Sequence, residues 1–124
     1  EGREIQGWLI RSVAAERGEP APLILQIHGG PHTLYGWAPY WEFQVLAGAG
    51  VSVLYTNPRG STGYGSKFGN EIMRAYPGKD FDDLMAGVDA MLAKNPVLAA
   101  VFNSNPPYVM AAEAQRWRPE TLEP

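Results

Sequence analysis

The sequence predicts an α/β fold, a mostly parallel sheet with helices on its faces. Three observations predict it. Apolar runs of strand length stand at 23–28 ("LILQIH") and 51–57 ("VSVLYTN"). Segments with helical spacing lie between and after them, at 40–50 and 80–94. Each apolar run breaks directly into a glycine-rich stretch, at 29–36 and 58–65. In sheets of this kind reactive groups gather outside the carboxyl ends of strands, so both glycine corners are expected on one edge.

The elements follow in order. Residues 3–14 ("REIQGWLIRSVA") set Ile5, Trp8, Ile10 and Val13 among polar neighbours and read as an extended strand or hairpin arm. "ERGEPAP" (16–22) is a turn, and 23–28 is a strand buried on both faces. In 40–50, Trp41, Val45 and Leu46 have helical spacing, and Gly48 and Gly50 stop the helix. The β-branched and aromatic run 51–57 is a second core strand, and 58–69 a long glycine-rich loop. The clearest helix is 80–94, where Phe81, Leu84, Met85, Val88, Met91 and Leu92 form one apolar stripe. Asp80 is its expected N-cap, with Asp82 and Asp83 favoured by the positive end of the dipole; Asn95-Pro96 ends it. A third strand is expected over 97–102 and a last helix over 108–118. Among the aromatic residues, Trp41 and Phe43 are expected in the core, while Tyr35 and Trp37 are candidates for a substrate pocket.

Composition narrows the function classes. The chain has 124 residues, 45% hydrophobic and 19% charged, enough for one domain with a real core. A net charge of -3 offers no basic excess for nucleic acid or an anionic membrane. With no Cys, disulfides and thiolate metal sites are excluded. No stretch approaches the roughly 18 apolar residues of a membrane span. Residues 1–20 lack the apolar block of a signal peptide. A soluble, cytoplasmic protein without a cofactor is expected, or a piece of a longer one.

The first corner, "HGGP" (28–31), carries the chemistry. A Gly-Gly corner leaves backbone N–H groups unshielded, and such groups can hold an anionic oxygen as acyl transfer requires. Pro31 restricts Gly30 to an extended or turn conformation. HGGP is a near relative of the HGGG-type oxyanion loop of α/β-hydrolases. A tight turn that merely needs glycine would use the same residues.

Three ordered blocks make the resemblance specific: "PLILQIHGGPHTLYG", "FQVLAGAGVSVLYTNPRGSTGYGSKFG" and "GKDFDDLMAGVDAML". Over about residues 5–94 the chain resembles the catalytic domain of the prolyl oligopeptidase family of serine peptidases. It is most similar to the acylaminoacyl-peptidase and dipeptidyl-peptidase branch. The resemblance implies an α/β-hydrolase fold, a Ser-Asp-His triad, cleavage of peptides or acyl-peptides, and a β-propeller ahead of the hydrolase domain. It makes the Gly30 N–H an oxyanion donor. His28 stands where some relatives carry an oxyanion-stabilising tyrosine, and is expected to order the loop. Arg59 and Gly60 match an Asn-x-Arg-Gly corner; Arg59 is a candidate substrate contact or an anchor for neighbouring loops. Asp80 and Asp83 match the acidic start of the next helix, where capping accounts for them.

The chain departs from the family after about residue 96. No G-x-S-x-G elbow occurs in it. Ser104, in "FNSNPP", is the only serine after a plausible third strand, and it lacks the flanking glycines. The two histidines, His28 and His32, precede it, whereas the hydrolase order is Ser, Asp, His. A serine without a base is a poor nucleophile. The expectation is therefore a partial α/β-hydrolase fold over 1–96, with later strands missing, and a divergent tail over 97–124. It would supply the oxyanion loop of a peptidase but not the triad, and be inactive alone. A sheet lacking its later strands would self-associate or pair with a complementary fragment through its exposed edge.

Two other classes compete. One is a non-catalytic interaction module on a degenerate hydrolase fold, which the missing histidine fits equally well. The other is phosphate or nucleotide binding at "GSTGYGSK" (60–67), where Ser66 precedes Lys67 and so inverts the P-loop order. No metal site is expected: Gly29-Gly30-Pro31 cannot form the helix that would align His28 with His32.

Overall fold

The computed structural model describes residues 2–100. Its elements are β1 (Gln6–Ile10), α1 (Val13–Glu16), β2 (Ala21–Gln26), α2 (Trp41–Gly48), β3 (Ser52–Asn57), α3 (Ser66–Asn70), α4 (Lys79–Lys94) and β4 (Leu98–Ala100). They build one mixed sheet in the order β1-β3-β2-β4. β2 runs parallel to both β3 and β4, with Leu23 opposite Ser52 and Ala21 opposite Leu98. β1 is antiparallel to β3, Gln6 facing Asn57. The expected extended arm is thus an antiparallel edge beside β3. Ser104 and the expected helix over 108–118 lie outside the described residues.

Alternation along the strands sorts side chains onto two faces. On one face Leu23 and Leu54 join Ala15, Ala21, Leu98 and Val88 of α4 in an aliphatic core, flanked by Met85, Met91 and Leu92. On the other, Val53 and Tyr55 pack with Phe43 of α2, beside Trp8, Tyr35 and Tyr40. β3 is buried along its whole length, as a strand with a helix on each face must be. Burying one such aliphatic side chain contributes about 1.5–3 kcal/mol.

Three expectations need correction. A short helix, α1, occupies part of the expected extended arm. Ser12 caps it, its Oγ accepting from Ala15 N at 3.2 Å, and Ser12 N donates to Ser52 Oγ at 3.0 Å. This buries Ala15, which an extended segment would leave outside. Trp41 is not core: it is 80% exposed, and α2 turns Phe43 and Ala47 inward instead. The smaller Ala47 lets the helix approach the sheet, and Phe43 fills the space beside Tyr55. Asp80 is not the N-cap of α4. That position is Gly78, whose N–H donates to Asp80 Oδ1 at 2.7 Å, so Asp80 caps backwards from the first turn. Asn95 and Pro96 do end α4, Asn95 Nδ2 donating to Met91 O at 2.8 Å.

Candidate functional site

Because β2 and β3 are parallel, the segments that follow them leave the sheet at the same edge. The first corner runs from His28, just past β2, to Gly36. The second runs from Pro58, just past β3, to Gly65.

In the first corner Gly30 is exposed and has φ +131°, a region that side chains rarely adopt. A Cβ there would lie 2.8 Å from His32 N. Among the described residues the Gly30 N–H has no backbone hydrogen-bond partner. The Gly30-Pro31 peptide is cis. His28 is half-buried, and its Nε2 lies 2.9 Å from Ser61 Oγ. Ser61 Oγ itself donates to Pro58 O at 2.7 Å, so it receives its second bond from His28 Nε2–H. That bond ties the first corner to the second. A backbone bond, Thr62 N to Thr33 O at 2.9 Å, adds another tie. His32 is exposed and lies near Gly69.

The second corner is anchored from below. Arg59 is 7% exposed, and its Nε and Nη2 donate to the Asp83 carboxylate at 2.8 and 2.6 Å. Arg59 N donates to the same carboxylate at 3.0 Å. Capping therefore does not account for Asp83, as the sequence suggested; its carboxylate is held by Arg59, 24 residues away in the chain. The guanidinium fork holds the corner to α4. A cavity of about 470 Å³ borders it, between Arg3, Glu71, Ile72, Gly78 and Lys79. The 60–67 segment is a loop running into the two-turn-or-shorter α3, with Thr62 through Lys67 exposed.

The aromatic group divides. Phe43 is 4% exposed and Trp37 87%. Trp37 stands edge-on to Trp8 at 5.8 Å, and Trp8 stacks on Tyr55 at 5.3 Å, so the indole rests on a column of rings that reaches the core. Tyr35 lies between these extremes, edge-on to His28, Tyr40, Phe43 and Tyr55. Burial pushes its hydroxyl up to about 12, with smaller contributions from Tyr40 and Glu42. The structure thus brings Gly30, His28 and Tyr35 together at one edge, and sets Arg59 in an ion pair beneath the second corner.

Sequence reasoning missed Asn57. It opens the Asn57-Pro58-Arg59-Gly60 corner and is fully buried. Its side chain pairs with the Tyr35 backbone in both directions, at 2.7 and 2.8 Å. An asparagine at the end of a buried strand, before Pro, was the available signal. Among the described residues no group of three metal-ligating side chains occurs, and no helix is long and apolar enough to cross a membrane.

Comparison with known proteins finds relatives in both sequence and fold. A sequence profile of the prolyl oligopeptidase family matches residues 37–100. The uncharacterized peptidase YuxL of Bacillus subtilis is 49% identical over 96 residues, 77% of this chain and 15% of YuxL. Dipeptidyl-peptidase 5 of Schizosaccharomyces pombe is 33% identical over 90 residues, 71% of this chain and 13% of that protein. The Pyrococcus horikoshii acylaminoacyl peptidase structure superposes with a TM-score of 0.75 at 34% identity, over 80% of this chain and 16% of that one. The fold is that of an α/β-hydrolase, in part. The chain belongs to the prolyl oligopeptidase family. It spans about a sixth or less of the length of these relatives.

Proposed function

We propose that this chain supplies the oxyanion-stabilising corner of a serine peptidase acting on peptides or acyl-peptides through a Ser-Asp-His triad. Its own sequence holds no G-x-S-x-G and no histidine after Ser104, so it works with a nucleophile and base carried elsewhere. The carbonyl oxygen of the scissile bond becomes an oxyanion as serine attacks. The Gly30 N–H donates to it, a contribution that in other hydrolases is worth about 10²–10³ in kcat. His28 positions the loop through Ser61, and Trp37 offers an apolar platform to the substrate. The observation that carries this reading is Gly30 itself: exposed, left-handed, and without a backbone partner for its N–H among the described residues.

The test is an exchange. Residues 5–96 replace the matching segment of the Pyrococcus acylaminoacyl peptidase, and hydrolysis of a chromogenic acyl-peptide is measured. The folded chimera is expected to be active, and Gly30→Ala to lower kcat by about 10²-fold. A chimera that is folded by circular dichroism yet inert would sink the reading. The chain alone is expected to be inactive in the same assay. β4 is the outer strand on one side of the described sheet, and a second copy or a complementary segment would pair there; light scattering of the chain that shows only monomer would count against this.

A further inference from the structure

We infer that Asn57 is the positioning residue of the first glycine corner, a role that rests on the peptidase reading above. The segment 29–36 has no strand or helix of its own, yet its geometry has to be fixed if one N–H is to meet an oxyanion. Asn57 gives it a partner. Tyr35 N donates to Asn57 Oδ1 at 2.7 Å, and Asn57 Nδ2 donates to Tyr35 O at 2.8 Å. The pair copies the two-bond exchange of neighbouring antiparallel strands, with a side chain in place of a backbone. The second Nδ2 proton goes to Tyr64 Oη at 2.7 Å, and Tyr64 Oη donates onward to Gln6 Oε1. β1, the first corner and the second corner thereby meet at one fully buried amide.

Both donors of the amide are used, and in different directions. Aspartate has no N–H to offer and would set a carboxylate oxygen against Tyr35 O. Glutamine is longer by one methylene in a site with no exposed surface. Gly30 therefore sits between two latches: His28 on Ser61 before it, and Tyr35 on Asn57 after it.

The experiment reads the latch and the chemistry separately. In the full chain, the two Asn57 Nδ2 protons are expected to exchange at least about tenfold more slowly than those of exposed Asn70, as a buried hydrogen-bonded amide does. Tyr64→Phe is expected to release one of the two and leave the other slow. Asn57→Asp is expected to lose about tenfold protection at the Tyr35 N–H and to move the Gly30 N–H signal, with Leu54 unchanged. Asn57 protons that exchange at the rate of a free peptide, in a folded or an unfolded chain, would overturn the assignment. In the Pyrococcus chimera, Asn57→Asp is expected to lower kcat by about 10²-fold with KM held within about twofold, because a misplaced donor acts on the transition state. Unchanged kcat would overturn the positioning role. A chimera inert with Asn57 in place, alongside slow Asn57 protons in the chain, would instead sink the peptidase reading and leave the latch standing.

Discussion

The two glycine corners leave the sheet at the same edge, and they are built in opposite ways. The second is bound at each backbone N–H from Arg59 to Thr62. Gly60 N donates to Phe68 O, Ser61 N and Ser61 Oγ both donate to Pro58 O, and Arg59 is gripped by Asp83. The first has a short internal backbone bond, Thr33 N to Pro31 O, and a contact of His28 Nδ1 with Gly29 O, and is otherwise held by Ser61 and Thr62 of the second corner, by Asn57 at the end of β3 and by Tyr40 before α2. The difference teaches how a loop can keep a backbone donor unpaired. A corner that satisfied its own amides would have none to offer, so its order has to come from contacts with neighbours that leave the Gly30 N–H out.

The largest expected effect strikes the anchored corner. Asp83→Ala leaves the buried Arg59 guanidinium without its carboxylate, and breaking such a pair typically costs about 3–5 kcal/mol. Urea denaturation of the chain checks it. A loss below about 1 kcal/mol would mean that the pair is solvated like a surface one, and the contrast between the corners would fail.

Next come two of the glycines at positive φ, one from each corner. A Cβ on Gly60, at φ +98°, would collide with Ile72 Cδ1 in the core, and Gly60→Ala is expected to cost about 2–4 kcal/mol through strain and overpacking together. Gly30→Ala meets only His32 and Thr33 of its own loop at an exposed position, and about 1–2 kcal/mol is expected. If denaturation ranks the two the other way, the first corner carries more of the fold than its hydrogen bonds suggest.

These sites differ in how far the sequence announced them. β2, β3 and α4 were legible because apolar runs and the stripe from Leu84 to Leu92 are local, repeated signals. The HGGP corner was legible because its glycines stand where a buried strand stops. The Arg59–Asp83 pair and the Asn57–Tyr35 pair were not, since each joins residues 24 or 22 apart and neither partner constrains the other's neighbours. Acidic residues at a helix start have a sufficient local explanation, and that explanation hid the long-range one. Trp41 misled for a related reason: helical spacing shows that a face exists, and size suggested which face turns inward. Phe43 and Ala47 fit against Tyr55 and the sheet, and the indole did not. In α1, "RSVAAE" held a capping serine followed by good helix formers, but the apolar residues before it read as a strand running through.

A smaller effect separates the corners by pH. Burial favours the neutral form of Tyr35, raising its hydroxyl from 10.0 to about 12. Below pH 10 both folded and unfolded chains keep the proton, and stability does not respond. Between pH 10 and about 12 the unfolded chain releases it while the folded chain holds it, so stability falls as pH rises, and levels off above that. Tyr35→Phe is expected to flatten this part of the profile. An alkaline slope that Tyr35→Phe leaves unchanged would mean that this phenol is not buried in the folded chain.

The smallest expected effect concerns neighbours in one strand. Asn57 uses both amide protons, whereas Thr56 Oγ1, one residue earlier and also buried, has no hydrogen-bond partner among the described residues. Thr56 points to the opposite face, where its methyl group fits between Gly7 and Gly87. Valine has the same shape without the hydroxyl, so Thr56→Val is expected to stabilise the chain by about 1 kcal/mol, the cost of an unmet buried donor. Denaturation midpoints measure it. A gain there beside a loss at Asn57→Asp would show that the end of β3 rewards a buried polar group only where it is hydrogen-bonded, as Asn57 is. A loss at Thr56 would mean that this hydroxyl has a partner too, as Ser52 on the same face has in Ser12 N.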